Sequence, residues 1–270
     1  MEINVLGPLT ASEAGSSIVP SAAKPRQILA VLALNANHVV TVARLMEELW
    51  GADLPRSAPT TLQTYILQLR RKLSAALGSV TGAKDVLATR HSGYQLSMDA
   101  SAVDAWQFDQ LTVAGYAAYE SGDAERASRR LTEALNLWRG PALVDLQHGT
   151  LLEVEVMRLR ESRLAALERR LDADLAMSRH HELLGELAGL TAEFPLHENL
   201  HAQFMLALYR CGRPSQALEA FRRLRSGLVD ELGLEPSARV QRLQRAILSA
   251  DPVLDGVLPG AVVGMSSIGR

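Results

Sequence analysis

The sequence contains one cysteine, Cys211, among 270 residues. A single cysteine cannot close a disulfide within the chain, which argues against a disulfide-stapled secreted fold and favours a reducing compartment. No run of about 18 apolar residues is present to span a membrane. The first residues, MEINVLGPLTASEAG, lack the basic and apolar regions of a signal peptide. We therefore expect a cytoplasmic protein.

Aromatic residues are also scarce, at 4% of the chain, whereas 47% of the residues are hydrophobic and 21% are charged. This composition is that of a folded globular protein and favours helices packed through aliphatic side chains. The net charge of −2 conceals an uneven distribution. Residues 1–98 hold nine Lys and Arg against six Asp and Glu, and the remainder holds nineteen against twenty-four. A basic first part joined to an acidic second part is compatible with polyanion binding by the first.

The first hundred residues have the order of elements that is typical of a winged helix-turn-helix. Short β-like runs, MEINVLGPL and SSIVPSA, precede a helix that Pro25 opens in its first turn. A short second helix follows, with Thr41 as its N-cap and Gly51 at its end. A loop with two prolines then leads to a third helix, TTLQTYILQLRRKL. VLAT and YQLSM flank turn residues 91–93, which predicts a β-hairpin, the wing.

Helical periodicity continues through most of the remaining chain. The segments HELLGEL and SQALEAF align at an offset of 34 residues, which is the length of a tetratricopeptide helix pair. Stacked helix pairs of this kind present a surface to a partner, so a helical-repeat adaptor is an alternative function. The candidate helices cover 103–120, 123–138, 150–178, 181–193, 198–211, 215–231 and 237–249.

The predicted fold class is therefore mainly α, with an N-terminal α+β winged helix-turn-helix and a C-terminal all-α, tetratricopeptide-like domain. We expect a DNA-binding domain over residues 1–98 and a helical domain over residues 99–250. Residues 251–270 are rich in Gly, Pro and small residues, which predicts a flexible tail.

The third helix has a polar face without a single acidic residue. Leu62, Ile66 and Leu69 fall on the opposite, apolar side of the helical wheel. Exposed helices usually carry Glu–Lys pairs at i,i+4, and the apolar run is too short for a coiled coil. Thr, Gln and Arg are residues that read base edges in the major groove, so DNA recognition is favoured over a plain surface helix. The predicted contacts are Thr60, Thr61, Gln63, Thr64, Gln68, Arg70, Arg71 and Lys72.

Four basic residues outside this helix are further candidates for DNA contact. Arg90 and His91 lie at the tip of the predicted hairpin, where an arginine reaches a minor groove or a flanking phosphate. Lys24 and Arg26, at the start of the first helix, are candidates for clamping backbone phosphates. Leu67 lies beside the polar face with no core to join, and we predict that it contacts a thymine methyl group or a sugar.

One motif indicates a different chemistry. Residues 197–201 read HENLH, a match to the HExxH pattern in which zinc peptidases hold Zn²⁺ between two histidines one turn apart and use the glutamate as general base. Glu219 lies 18 residues after His201, at the spacing of a third ligand in some zinc peptidases. A zinc protease is therefore an alternative from another class. Pro195 argues against it, because the proline places the motif in the first turn of a helix rather than inside a long buried one.

The motifs of nucleotide binding and nucleophilic catalysis are missing from the sequence. It contains no GxxxxGK[ST], no GxSxG after a strand and no CxxC. We accordingly expect no enzymatic activity, no metal and no cofactor.

Several long strings resemble the Streptomyces antibiotic regulatory protein family. The resemblance covers residues 1–250 and is nearest to the small pathway-specific activators of polyketide antibiotic clusters, of the daunorubicin-activator kind. HENLHAQF is a string that such regulators share, which further weakens the protease alternative. The other strings are NVLGPL, KPRQILAVLALNAN, LMEELWG, TTLQTYILQLRRKL, ATRHSGYQL, LWRGPALVD and ESRLAALERRLDADL.

This resemblance implies a winged helix like that of response-regulator output domains, followed by a bacterial transcriptional activator domain. It implies binding to direct repeats in promoter DNA, as a dimer or as paired monomers, and recruitment of RNA polymerase through its sigma factor and alpha subunit. Residues 51–59 occupy the position of a polymerase-contacting loop, with Asp53, Leu54 and Arg56 as its contacts. The implied function is activation of a secondary-metabolite gene cluster, and repression is the alternative within this class.

Overall fold

A computed structural model describes residues 1–254 of the chain, which form six short strands and eleven α-helices. The strands are β1 (Glu2–Asn4), β2 (Thr10–Glu13), β3 (Ser16–Ser17), β4 (Val39–Thr41), β5 (Leu87–Arg90) and β6 (Gly93–Leu96). The helices are α1 (Ala23–Leu34), α2 (Val42–Trp50), α3 (Ala58–Leu77), α4 (Val80–Val86), α5 (Asp104–Glu120), α6 (Ala124–Leu135), α7 (Thr150–Ala176), α8 (His180–Glu193), α9 (Glu198–Arg210), α10 (Pro214–Leu232) and α11 (Ala238–Leu248). The predicted fold class is confirmed.

The strands form two antiparallel sheets of three strands each, in the orders β1-β2-β3 and β4-β6-β5. The predicted hairpin is present as β5 and β6, with Arg90 paired to Gly93 across its turn. On the other side of β6, Thr41 of β4 pairs with Gly93. The wing hairpin is thus extended to a three-stranded sheet by β4, which leads directly into α2.

The three helices of the predicted helix-turn-helix form where their local signals place them. The Thr41 side chain accepts a hydrogen bond from the Arg44 backbone N–H, as expected of the N-cap of α2. Gly51 follows the last residue of α2, and Gly78 ends α3 in the left-handed conformation. The apolar stripe of α3 is fully buried, with Leu62, Ile66, Leu69 and Leu73 all at 2% exposure or less.

Three elements of this part of the chain do not follow from the sequence patterns. β2 and β4 are only four and three residues long, too short to carry a recognisable alternation, and β4 forms because the edge of β6 supplies its partner. Helix α4 contains Gly82, a poor helix former. Ser79 fixes the start of α4, because its hydroxyl accepts a hydrogen bond from the Gly82 N–H. Ala83, in the same helix, is buried.

The described chain divides into two compact units. The first comprises Met1–Thr112 and Glu133–Leu164, and the second comprises Val113–Thr132 and the chain from Ala165 onward. The predicted domain boundary at residue 98 stays a prediction. It divides the chain at one point, whereas each compact unit combines segments that are distant in sequence. None of the helices within the described range is long and apolar enough to cross a bilayer.

Within the first unit, the turn after β1 is held by residues distant in sequence. The Asp104 carboxylate accepts hydrogen bonds from the Val5 and Leu6 N–H groups, at 2.7 and 3.0 Å. The Leu143 N–H donates to the carbonyl groups of Val5 and Gly7. Two of the sequence strings, NVLGPL and LWRGPALVD, are therefore in direct contact.

The second unit contains the helical repeat. Helices α8, α9, α10 and α11 pack against one another in chain order, and small residues allow α5, α6 and α7 to approach closely at Ala118, Ala127 and Ala173. The flexible tail predicted for residues 251–270 begins with a 3-10 turn, Pro252–Leu254, whose Leu254 is buried. The rest of that prediction lies outside the described residues.

Candidate nucleic-acid interface

Helix α3 presents its polar face to solvent. Its exposed polar side chains are amides, hydroxyls and cations, and the helix contains no acidic residue. Of the predicted contacts in α3, only Thr61 and Arg70 are half-buried. Leu67, which the sequence predicts to touch DNA, is 48% exposed. The exposed predicted contacts are Thr60, Gln63, Thr64, Gln68, Arg71 and Lys72.

The start of α3 is braced by an aromatic contact with α2. The rings of Trp50 and Tyr65 stack with their centroids 6.5 Å apart, and the Lys24 ammonium lies 4.6 Å from the Trp50 ring centroid. This cation–π contact holds Lys24 against the protein. Three helices, α1, α2 and α3, are thereby joined on the side of α3 near the loop that precedes it.

Arg26, the second candidate for a phosphate clamp, is engaged inside the protein. Its guanidinium forms an ion pair with Asp145, and that carboxylate also accepts a hydrogen bond from the Leu9 N–H. Since Lys24 and Arg26 are both half-buried and both in contact with protein groups, their geometry favours a structural role for the two cations over a phosphate clamp.

Arg70 joins the recognition helix to the wing. Its Nε and Nη2 donate to the Leu87 carbonyl at 3.0 and 2.7 Å, and Nη2 also donates to the Thr89 hydroxyl at 2.8 Å. Arg70 and Arg71 are adjacent in sequence, yet Arg70 is directed to β5 and Arg71 is exposed. The geometry therefore indicates that Arg70 fixes the wing relative to α3.

The wing tip carries both of its predicted contacts on the surface. Arg90 and His91 are exposed. Ser92, the next residue in the turn, accepts a hydrogen bond through its carbonyl from the Val42 N–H at the start of α2. The Arg90 Nε donates to the Gln95 side-chain oxygen at 2.6 Å. Periodicity could not indicate Gln95, because its partners lie on other strands and loops.

The loop between α2 and α3 is exposed along residues 51–57. It includes the three candidate polymerase contacts, Asp53, Leu54 and Arg56, of which Leu54 is a 49% exposed apolar side chain. The loop leaves the surface at Ala58, whose N–H donates to the Pro55 carbonyl and whose side chain is fully buried.

The HENLH motif serves contacts between helices. The His197 Nε2 lies 3.2 Å from a carboxylate oxygen of Glu168 in α7. The Glu198 carboxylate accepts a hydrogen bond of 2.7 Å from the Ser237 N–H, immediately before α11. A carboxylate at a helix N-terminus satisfies an otherwise unpaired amide and complements the helix dipole.

The remaining two residues of the zinc-protease alternative, His201 and Glu219, lie in different environments. His201 is 4% exposed, and burial lowers the pKa of its imidazole, which is therefore neutral at neutral pH. Glu219 is exposed and pairs with Arg223 one turn away, at 3.3 Å. Across residues 1–254, no group of three or more His, Cys, Asp and Glu side chains is arranged to hold a metal ion.

Glu48 is the residue of this region that sequence reasoning missed most clearly. It is a buried acid in α2, 3% exposed, and it reaches the first turn of α7. Its carboxylate accepts hydrogen bonds from the N–H groups of Gly149 and Leu151, both at 2.8 Å, and of Leu152, at 3.2 Å. The only available signal was an acid on the inner side of a short amphipathic helix.

A winged helix with an acid-free recognition helix, joined to a helical-repeat domain, defines a DNA-binding transcriptional regulator. Residues 17–96 match the family of the C-terminal domain of transcriptional regulatory proteins, and residues 103–248 match the bacterial transcriptional activator domain. The chain belongs to the Streptomyces antibiotic regulatory protein family and is a transcriptional activator of that type.

Its relatives and a solved structure agree with this assignment. The regulatory protein DnrI of Streptomyces peucetius is 55% identical over 94% of both chains. The transcriptional regulator RedD of Streptomyces coelicolor is 36% identical, over 94% of this chain and 72% of RedD. The structure of Mycobacterium tuberculosis EmbR in complex with a low-affinity phosphopeptide matches with a TM-score of 0.88 and 33% identity, covering 97% of this chain and 69% of EmbR.

Proposed function

We propose that this protein activates transcription of a secondary-metabolite, antibiotic-type gene cluster by binding direct repeats in its promoters. In this proposal α3 enters the major groove and the wing contacts the adjacent minor groove or phosphates. The protein binds as a dimer or as paired monomers on the repeats. The single observation that carries the proposal is the exposed polar face of α3, which offers hydroxyl, amide, guanidinium and ammonium groups to a polyanion and carries no carboxylate.

The same proposal assigns different roles to neighbouring cations. Arg71 is exposed on the recognition face, so it reads a base edge, for which bidentate contact with guanine is the common mode. Lys72 is also exposed and neutralises a phosphate as a point charge. Arg70 contributes to DNA binding indirectly, by holding the wing strand β5 in place through its hydrogen bonds.

The proposal is tested by footprinting the purified protein on the promoters that neighbour its gene, followed by shift assays on the protected duplex. Arg71→Ala should weaken binding about tenfold or more, because a bidentate base contact is worth roughly 1–3 kcal/mol. Arg160→Ala, which removes an exposed arginine from α7, is the matched control and should leave binding unchanged. Absence of a footprint at any of these promoters, at low salt, would contradict the proposal.

The activating step is proposed to use the α2–α3 loop to contact RNA polymerase, through the sigma factor and the alpha subunit. Support comes from the exposure of Asp53, Leu54 and Arg56, side chains that the fold of the loop does not use. The combined variant Asp53→Ala with Arg56→Ala should keep wild-type affinity for the promoter duplex. Its transcript yield should fall severalfold in a reaction with purified polymerase.

Two results would contradict this polymerase contact. Equal transcript yields for the variant and the wild type would exclude the loop. A fall in transcription when wild-type protein is added would identify a repressor, the alternative function in this class.

A further inference from the structure

The tip of the wing is connected to the body of the domain by a chain of hydrogen bonds through one side chain. The Gln95 amide nitrogen donates to the Asn37 carbonyl at 2.6 Å, and the Gln95 amide oxygen accepts from the Arg90 Nε at 2.6 Å. A glutamine suits this position because one amide supplies both a donor and an acceptor. If the amide were turned over, its oxygen would face the Asn37 carbonyl oxygen and its nitrogen would face the Arg90 N–H. These two contacts therefore fix the orientation of the Gln95 amide.

Asn37, at the far end of this series of hydrogen bonds, is itself held by the surrounding backbone. Asn37 has a φ of +66°, in the left-handed region that asparagine tolerates better than most residues. Its side chain donates to the Met98 carbonyl at 2.8 Å and accepts from the Met98 N–H at 3.1 Å. Its own N–H donates to the Leu96 carbonyl at 2.8 Å. The Asn37 carbonyl that holds Gln95 therefore has a fixed position.

At the other end, the Arg90 guanidinium keeps most of its N–H donors for DNA. Gln95 takes the Nε–H of Arg90, one of the five N–H donors of a guanidinium. The four N–H bonds on its terminal nitrogens are the ones available to phosphate oxygens or to base edges in a minor groove. Arg90 is exposed, and an unrestrained arginine would lose rotamer freedom on binding. Holding it in advance reduces that cost.

We propose that Gln95 is a positioning residue for DNA binding, which pre-orients Arg90 at the wing tip by linking its guanidinium to Asn37. This inference rests on the proposed function, since it concerns the wing's contact with promoter DNA. It concerns neither the recognition face of α3 nor the choice of promoter. Gln95 acts entirely through Arg90, and that dependence can be measured.

The experiment is a double-mutant cycle on the full-length chain, with the shortest promoter duplex that the footprint protects as the probe. Gln95→Met keeps the length of the side chain and removes both hydrogen bonds. Alone, it should weaken binding about threefold, and Arg90→Ala about tenfold. In the Arg90→Ala background, Gln95→Met should have no further effect.

Gln241→Met is the matched control, because Gln241 makes one hydrogen bond to the Pro236 carbonyl before α11, and it should leave affinity unchanged. Thermal unfolding of every variant verifies that the fold is intact, and Gln95→Ala replaces Gln95→Met if the latter unfolds early. Equal weakening by the Gln95 variant in both backgrounds overturns the inference, as does no weakening in either.

The two levels of the proposal fail in different ways. If the wild type protects promoter DNA but Arg90→Ala binds equally well, the inference about Gln95 and the Arg90 contact fall, while promoter binding through α3 stands. If the wild type protects no promoter, the proposed function itself is wrong.

Discussion

Replacing Glu48 with alanine is expected to lower the free energy of unfolding by about 3 kcal/mol. The carboxylate accepts three backbone N–H groups at the start of α7 and is 3% exposed. Without it, these amides lose their partner in a place that water reaches poorly. A carboxylate at a helix N-terminus is also stabilised by the helix dipole, so both contributions disappear together.

The measurement is urea unfolding of the full chain, followed by far-UV circular dichroism. Glu47→Ala is the matched control, since Glu47 is the exposed neighbour in the same helix turn, and a surface change of this kind alters stability by less than about 0.5 kcal/mol. Glu48→Gln should fall between the two, because its amide presents one acceptor and one donor to the N–H groups. Equal losses for the Glu47 and Glu48 variants would show that the α7 contact is not the cause.

Gly93→Ala is expected to disrupt the wing and to cost about 2–3 kcal/mol of stability. A Cβ atom at residue 93 would lie 2.0 Å from the Val40 carbonyl oxygen and 2.7 Å from the Thr41 Cα. Both are backbone atoms of β4, so no flexible side chain can move to make room. The β4–β6 pairing must open, and with it the support of the wing tip.

We expect affinity of Gly93→Ala for promoter DNA to fall at least as far as that of Arg90→Ala, because the entire wing moves rather than one side chain. Gly185→Ala provides the control in a helix, at an exposed position where a Cβ would meet no atom within 4 Å. That change should stabilise α8 slightly, since alanine favours helix. A Gly93 variant with wild-type stability and DNA affinity would mean that β4 does not pack against the wing in this way.

The contact between Glu48 and α7 also concerns the organisation of the chain. Glu48 lies in the segment that matches the transcriptional regulatory domain, and Gly149–Leu152 lie in the segment that matches the activator domain. A Cβ at Gly149 would meet the Glu48 carbonyl oxygen at 2.0 Å, so the backbones are in contact as well. The two family segments are therefore joined inside one compact unit.

The sequence by itself determined the long helices, the wing hairpin and the exposed face of α3. These features depend on local signals: a 3.6-residue apolar period, an N-cap at Thr41, and glycine at Gly51 and Gly78. The predicted start of α7 at residue 150 and of α9 at residue 198 agrees with the structure. Short elements without a period, such as β4 and α4, escaped detection for the same reason.

Only the tertiary structure decided which polar groups remain available. Arg70 and Arg71 are adjacent in the sequence and chemically identical, but Arg70 is hydrogen-bonded to the wing and Arg71 is exposed. Arg26 meets Asp145 at a separation of 119 residues, and Glu48 meets Gly149 at a separation of 101. Periodicity reports which face of a helix is buried and carries no information about the partner that a polar side chain meets there. That partner is set by packing between distant segments.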